Sequence, residues 1–257
     1  MEAALSSALP ALDASQALFL DIDGTIIDIA PTPEAVDVPE SLKLSLSRVR
    51  ETLGGALALI SGRTLSAIDE LFAPLKFAAA GAHGAELRAA PDGAVERVHT
   101  PLSASERAVL AAVAKLDPRL RLEDKGYSVA VHYRNAPELE DEVLAIVRDE
   151  VAQLGESLRI MRGKAVIEVK PHGFNKGTGL RYLMARPPFA GRRPVFLGDD
   201  VTDEDALAAL PEFHGVGISV GRLLPGATSQ VATPSEVREW LARLAGAEIE
   251  DCNPKVS

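Results

Sequence analysis

The sequence predicts an α/β protein: a doubly wound parallel-sheet core interrupted by a second, α+β unit. Three observations carry this. Short apolar runs alternate with amphipathic helical segments over residues 17–81. The same alternation returns from Asn175 onward. Between them come short alternating strands and two helices, the pattern of an antiparallel sheet with helices on one face.

Ala17, Leu18, Phe19 and Leu20 read as a strand buried on both faces, and the run passes directly into Asp21-Ile22-Asp23-Gly24-Thr25. Gly24 marks the break into a loop. Acids at the carboxyl end of a buried parallel strand lie where open α/β sheets hold their ligands. If strand geometry persists there, side chains at i and i+2 share a side. Two like charges so close resist joint ionisation, so a cation or a shared proton is expected. Residues 28–39 carry three prolines and several acids and form a loop. Pro39-Glu40-Ser41 opens a helix that Gly54-Gly55 ends. Residues 56–60 are a second strand stopping at Ser61-Gly62-Arg63. Thr64 is an N-cap for a helix carrying Leu65, Ile68, Leu71 and Phe72, closed by Pro74. Residues 77–80 are a third strand running into Gly81-Ala82-His83-Gly84.

The pattern then changes. Runs at 85–88 and 95–98 flank the turn Pro91-Asp92-Gly93 and pair as a hairpin. A helix over 103–116, strands over 120–123 and 128–133, a helix over 137–154 and strands over 158–161 and 165–169 come next. Hairpin, helices and strands together describe the antiparallel unit. The first pattern resumes with a helix over 176–184 and a strand over 195–197 ending at Gly198-Asp199-Asp200. A helix over 203–210, a strand over 214–220 and a helix over 235–244, with Trp240 toward the core, complete it. The core is therefore assigned to residues 1–86 and 172–257 and the insert to 87–171.

With 257 residues, 47% hydrophobic and 25% charged, the chain has the profile of a soluble globular protein with a substantial core. A net charge of −10 argues against nucleic acid or an anionic membrane as partner, but not against a phosphorylated small molecule. The single cysteine, Cys252, excludes an intrachain disulfide and fits a reducing cytoplasm. No apolar run reaches the length of a membrane span. Residues 1–16 lack Lys and Arg, so neither a secretory signal nor a transit peptide is expected. A cytoplasmic monomer is the resulting expectation.

Asp21 and Asp23, Ser61, Lys176, and Asp199 and Asp200 all fall at strand or helix boundaries. Singly, each reads as readily as a helix cap or a solvated loop charge. Together they place carboxylates, a hydroxyl and an amine on one edge of a parallel sheet. Asp21-Ile22-Asp23-Gly24-Thr25, Ser61-Gly62-Arg63, Asn175-Lys176-Gly177 and Gly198-Asp199-Asp200 resemble the four motifs of the haloacid dehalogenase superfamily of phosphotransferases. The run Gly198-Asp199-Asp200-Val201-Thr202-Asp203-Glu204-Asp205 resembles the signature of the trehalose-6-phosphate phosphatase family. Residues 80–86 and 163–171 resemble that family as well, and the likeness extends over about residues 17–245.

The resemblance implies a Rossmann-like core with an inserted cap and a Mg2+-dependent phosphatase acting on a phosphorylated disaccharide. Asp21 would be the nucleophile and form an aspartyl-phosphate. Asp23 would protonate the leaving oxygen and then take a proton from water, a role that needs a raised pKa. Asp21, Asp199 and the Asp23 carbonyl would ligate the metal, with Asp200 a further ligand or a partner behind them. Ser61 and Lys176 would hold the phosphoryl oxygens. Gly62 and Arg63 fall in the same matched motif and are candidates for binding substrate. In the cap, the pairs Glu123/Lys125 and Lys164/Glu168 each share a strand face and would grip sugar hydroxyls, unless they are an ordinary solvated sheet face. His83, His132, Arg134 and Arg162 are weaker candidates. The same chemistry on sucrose 6-phosphate or mannosyl-3-phosphoglycerate, a phosphotransfer mutase and a non-catalytic sugar-phosphate sensor remain open at this level.

Overall fold

Alternate residues of a strand face opposite sides of a sheet, so a strand with no exposed residue must be covered on both. That holds for β1 (Gln16–Leu20), where Ala17 to Leu20 are all inaccessible to solvent. The computed structural model describes residues 9–29, 36–155, 157–163 and 165–246. Cys252, Lys164 and the two chain ends beyond these limits lie outside the described residues.

After β1 come α1 (Glu40–Thr52), β2 (Leu57–Ile60), α2 (Leu65–Leu71) and β3 (Ala78–Gly81). Thr64 caps α2 as expected, its hydroxyl accepting from the Ala67 amide. A tight turn over Ala82–Gly84 leads to the hairpin β4 (Glu86–Arg88) and β5 (Glu96–Arg97). Next are α3 (Ala104–Val113), β6 (Arg121–Asp124), β7 (Val129–His132), α4 (Glu140–Leu154), β8 (Leu158–Gly163) and β9 (Val166–Pro171). The chain closes with α5 (Lys176–Met184), β10 (Arg193–Gly198), α6 (Glu204–Ala209), β11 (Val216–Val220), β12 (Ser229–Val231) and α7 (Pro234–Leu244).

Eight strands form one sheet in the order β12-β11-β10-β1-β2-β3-β4-β5, parallel from β12 to β3. The four strands β6-β7-β9-β8 form a second, antiparallel sheet. Helices α3 and α4 cover the second sheet, and Leu110, Val143 and Val147 join Val129, Ile167 and Val169 in a separate hydrophobic core. Trp240 is buried in the first core, its indole N–H donating to the Pro10 carbonyl at 2.8 Å.

The hairpin forms, but in a different sheet from the one expected. β4 pairs with β3 (Ala80 opposite Leu87), so the hairpin extends the parallel sheet. An unpaired β3 would leave a row of open backbone groups at the sheet edge, and β4 covers it. Arg88 on β4 is buried and pairs with Asp69 at 2.7 and 2.5 Å, while Glu86 accepts the Leu65 amide. Both contacts tie the hairpin to α2.

Helix α5 carries Lys176 at its first position, so the placement of this helix decides where that side chain reaches. Two glycines let it approach its neighbours. A Cβ at Gly179 would lie 2.7 Å from the Ala80 Cβ, and one at Gly177 would lie 2.2 Å from the Asp205 carbonyl oxygen. Gly→Ala inside a helix ordinarily stabilises, by about 1 kcal/mol. At Gly177 the contact is with backbone that cannot swing away. Gly177→Ala is therefore expected to destabilise by roughly 1–3 kcal/mol in urea unfolding, the usual cost of overpacking.

Candidate active site

The sheet delivers two carboxylates side by side. Asp21 comes directly after β1, and its amide still donates to the Leu197 carbonyl at 3.0 Å. Asp199 comes directly after β10, the parallel neighbour of β1. Beyond Asp21 the backbone turns through Gly24 at φ +83, where a Cβ would lie 2.1 Å from Asp199 Oδ2. Only glycine permits both that dihedral and that approach. The Thr25 hydroxyl lies 3.3 Å from Asp199 Oδ1 and 3.4 Å from Asp21 Oδ2, so it bridges the pair.

Lys176 opens α5, where Asn175 caps the helix and exchanges hydrogen bonds with Thr178. The ammonium is buried and donates to Asp21 Oδ1 and Asp203 Oδ1, each at 2.7 Å. Asp203 has no exposed surface. Its other oxygen accepts the amides of Asp199 and Asp200 at 3.1 Å each, which fixes the loop after β10. Sequence reasoning missed Asp203 as a site residue. It stands in the acidic run 198–205, but which acid turns inward depends on the short turn Val201–Asp203, which no periodicity announces.

Asp21, Asp199 and Asp203 bring one carboxylate oxygen each within 4.8 Å of one another. Burial pushes the Asp21 carboxyl up to about 7, helped by the charge of Asp203 and opposed by Lys176. Burial and the charge of Asp21 push Asp199 up to about 7 as well. Burial alone would lower Lys176; Asp203 and Asp21 override it and hold the amine protonated. Three acids thus share one ammonium. An all-oxygen set with excess negative charge fits a hard divalent cation, which would relieve the repulsion. Asp23 and Asp200 lie outside this carboxylate group; for Asp23 the expected ligand is the backbone carbonyl, not the side chain. Asp200 Oδ1 faces Arg222 at 3.5 Å.

Ser61 is buried beyond β2, its oxygen accepting the Arg63 amide at 3.2 Å. The Arg63 guanidinium grips Asp23 with two hydrogen bonds, at 2.7 and 2.6 Å. Gly62 makes room for the His83 ring: a Cβ there would sit 2.6 Å from it. All of these residues line one cleft of about 1450 Å³ between the two sheets. Glu123 and Glu168 of the second sheet line the same cleft, so they are not an ordinary solvated face; Lys125 lines it too, but from the turn after β6 rather than from a strand face shared with Glu123. Lys125 Nζ lies 3.5 Å from Glu168 and 3.9 Å from Glu123, the Ser128 hydroxyl donates to Glu168, and His132 pairs with Glu123 at 2.9 Å. Lys164 lies outside the described residues. Arg134 and Arg162 line the cleft, and so do Arg121, Arg159 and Arg222, which sequence reasoning did not single out.

Carboxylates, a buried lysine and a serine on the carboxyl edge of a parallel sheet, beneath a second sheet, make up the site of a phosphatase. The family model for trehalose-phosphatase matches residues 19–238, and the chain belongs to that family. It is 42% identical over 235 residues to a probable trehalose-phosphate phosphatase of Sinorhizobium fredii, covering 89% of this chain and 87% of that one. It is 37% identical over 240 residues to trehalose-6-phosphate phosphatase of Escherichia coli, covering 93% and 90%. In fold it is similar to the C-terminal domain of trehalose-6-phosphate phosphatase of Candida albicans, with a TM-score of 0.80 at 21% identity over 96% of this chain and all of that one.

The crowded carboxylates make stability depend on pH. Native Asp21 and Asp199 keep their protons to about 7, whereas unfolded aspartates release theirs near 3.8. Across that window the native state binds more protons, so these groups reduce stability as pH rises. Asp199→Asn removes one of them. In chelator-treated protein, the melting temperature of Asp199→Asn relative to wild type is expected to increase from about pH 4.5 to about pH 7.5. A difference that stays flat over that range contradicts this.

Proposed function

We propose that this chain hydrolyses trehalose 6-phosphate to trehalose and inorganic phosphate, using Mg2+ and an aspartyl-phosphate on Asp21. The observation that carries the reading is a buried aspartate held by Lys176 beside Asp199, on the floor of a cleft whose roof presents paired charges. The names borne by the relatives at 42% and 37% identity support the sugar.

In this reading an Asp21 carboxylate oxygen attacks phosphorus, the bond from phosphorus to the sugar oxygen breaks, and Asp23 gives that oxygen a proton. Water then attacks the acyl phosphate, Asp23 takes its proton, and phosphate leaves with Asp21 restored. Arg63 holds the Asp23 carboxyl at the cleft wall in the resting state. Lys176 and Ser61 bind phosphoryl oxygens: the ammonium supplies charge, and the serine oxygen, accepting from Arg63, keeps its own proton to donate. When bound, Mg2+ supplies charge neutralisation at the transferring phosphoryl group, held by Asp21, Asp199 and the Asp23 carbonyl. Asp203 orients Lys176 and the Asp199 loop, and Asp200, which lines the cleft, is a further metal ligand or a partner of the ligands. Glu123, Lys125, Glu168 and, from its matched motif, Lys164 take the sugar hydroxyls, with Gly62 and Arg63 beside the phosphoryl end. Lid residues of this kind also exclude water from the reacting centre.

Asp21→Asn is expected to lower phosphate release by about 10³-fold or more with an unchanged circular dichroism spectrum. Chelation should abolish turnover and added Mg2+ restore it. Across a panel of sugar phosphates, trehalose 6-phosphate should have the highest kcat/KM. A better substrate in that panel overturns the sugar assignment, and full activity of Asp21→Asn overturns the nucleophile.

A further inference from the structure

Two buried groups meet from opposite sides of the cleft, and one of them, His83, has no part in the proposed reaction. His83 Nε2, on the turn after β3, lies 3.3 Å from Oε2 of Glu168 on β9, and the side chains are 7% and 9% exposed. The approach lacks hydrogen-bond alignment, and neither ring nitrogen has a hydrogen-bond partner among the described residues. The two oxygens of Glu168 are met from different sides. Oε1 is bound by Ser128 and approached by Lys125, both in the turn joining β6 and β7, while Oε2 faces the core.

The backbone is built to deliver that ring. Ala82, His83 and Gly84 hold φ of +48, +56 and +100 in succession. Side chains seldom adopt this region, and histidine is among the few that tolerate it. Gly62 lacks the Cβ that would collide with the ring. The His83 amide donates to the Ser61 carbonyl at 3.0 Å, so a backbone hydrogen bond ties the turn carrying the ring to the loop carrying the phosphoryl-side hydroxyl. Strain of this kind persists only where the surroundings enforce it.

We propose that His83 is a positioning residue: it fixes Glu168 over the cleft from the core side, coupling the grip on the sugar to the Ser61 loop. The inference rests on the sugar-phosphatase reading of the site. Steady-state kinetics on two substrates tests it, one being trehalose 6-phosphate and the other p-nitrophenyl phosphate, which has no sugar hydroxyls. His83→Asn suits the left-handed backbone, but its amide stops short of Glu168; His83→Gln has the reach. The asparagine variant is expected to raise KM for trehalose 6-phosphate about tenfold, with kcat and aryl-phosphate turnover within about twofold of wild type. The glutamine variant should return KM most of the way. In a Glu168→Gln background, His83→Asn should add little, because it acts through Glu168. Equal losses on both substrates, an unchanged KM in His83→Asn, or fully additive losses with Glu168→Gln each overturn the proposal. A wild-type enzyme that prefers another sugar phosphate overturns the sugar assignment instead, and that sugar phosphate then takes its place in the same comparison.

Discussion

The ammonium of Lys176 is the interaction on which the site depends. It sits between Asp21 and Asp203 at 2.7 Å from each, with all three groups buried. Isolated buried charge is costly, and removing one partner from a buried ion pair destabilises far more than the pair contributes. Here the loss would reach both strand ends. Asp203 also binds the amides that shape the Asp199 loop, so the ammonium acts through it on the backbone after β10. The chain Asp21–Lys176–Asp203 spans positions 21 to 203 of the sequence and joins β1, α5 and the loop before α6. Close approach of α5, which Gly177 and Gly179 permit, is the packing condition for it.

The roof of the cleft uses charge in the same way. Burial alone would raise the Glu168 carboxyl, but the Lys125 ammonium, with the Ser128 hydrogen bond, overrides it and holds it well below the usual range. Glu168 is therefore an ionised acceptor with its geometry set by neighbours, suited to directional bonds with hydroxyls. The chain carries a net charge of −10, yet Arg63, Lys125, Arg159, Lys176 and Arg222 all line the cleft. Local cations rather than bulk charge decide whether a phosphorylated ligand is attracted.

Much of this was legible in the chain because it is carried by local signals. The apolar run before Asp21, the boundary at Asn175-Lys176 and the turn at Gly198 are punctuation that strands and helices require. The folded chain brings Asp21, Ser61, Lys176 and Asp199 into one cleft, as parallel topology implies. What was not legible depends on contacts with no sequence period. A hairpin looks alike whichever sheet it joins, and the edge of β3 decided where β4 and β5 lie. β12 spans three residues, Ser229–Val231, with one apolar side chain, too short for alternation to show. Asp203 differs from its acidic neighbours only in the direction of one turn. Arg63 met Asp23 across forty positions, a pairing that no spacing rule connects.

Most of the chain obeys the local rules: apolar strands are covered, and α2, α3, α5 and α7 carry side-chain caps. Several of the exceptions gather around the cleft. Three carboxylates crowd together there, Ala82 and His83 hold left-handed dihedrals, and a buried imidazole lacks aligned partners. Each feature opposes stability, by raising an acid above its ordinary pKa, by straining backbone or by desolvating a polar group without return. They persist because rigid elements on both sides over-determine them: β1 and β10 beneath the acids, α5 behind Lys176, β9 against His83. On the proposed function, an arriving cation would relieve the crowding of the carboxylates. The free energy withheld from folding at the cleft is thereby available for binding, which is why the site can be both destabilising and well defined.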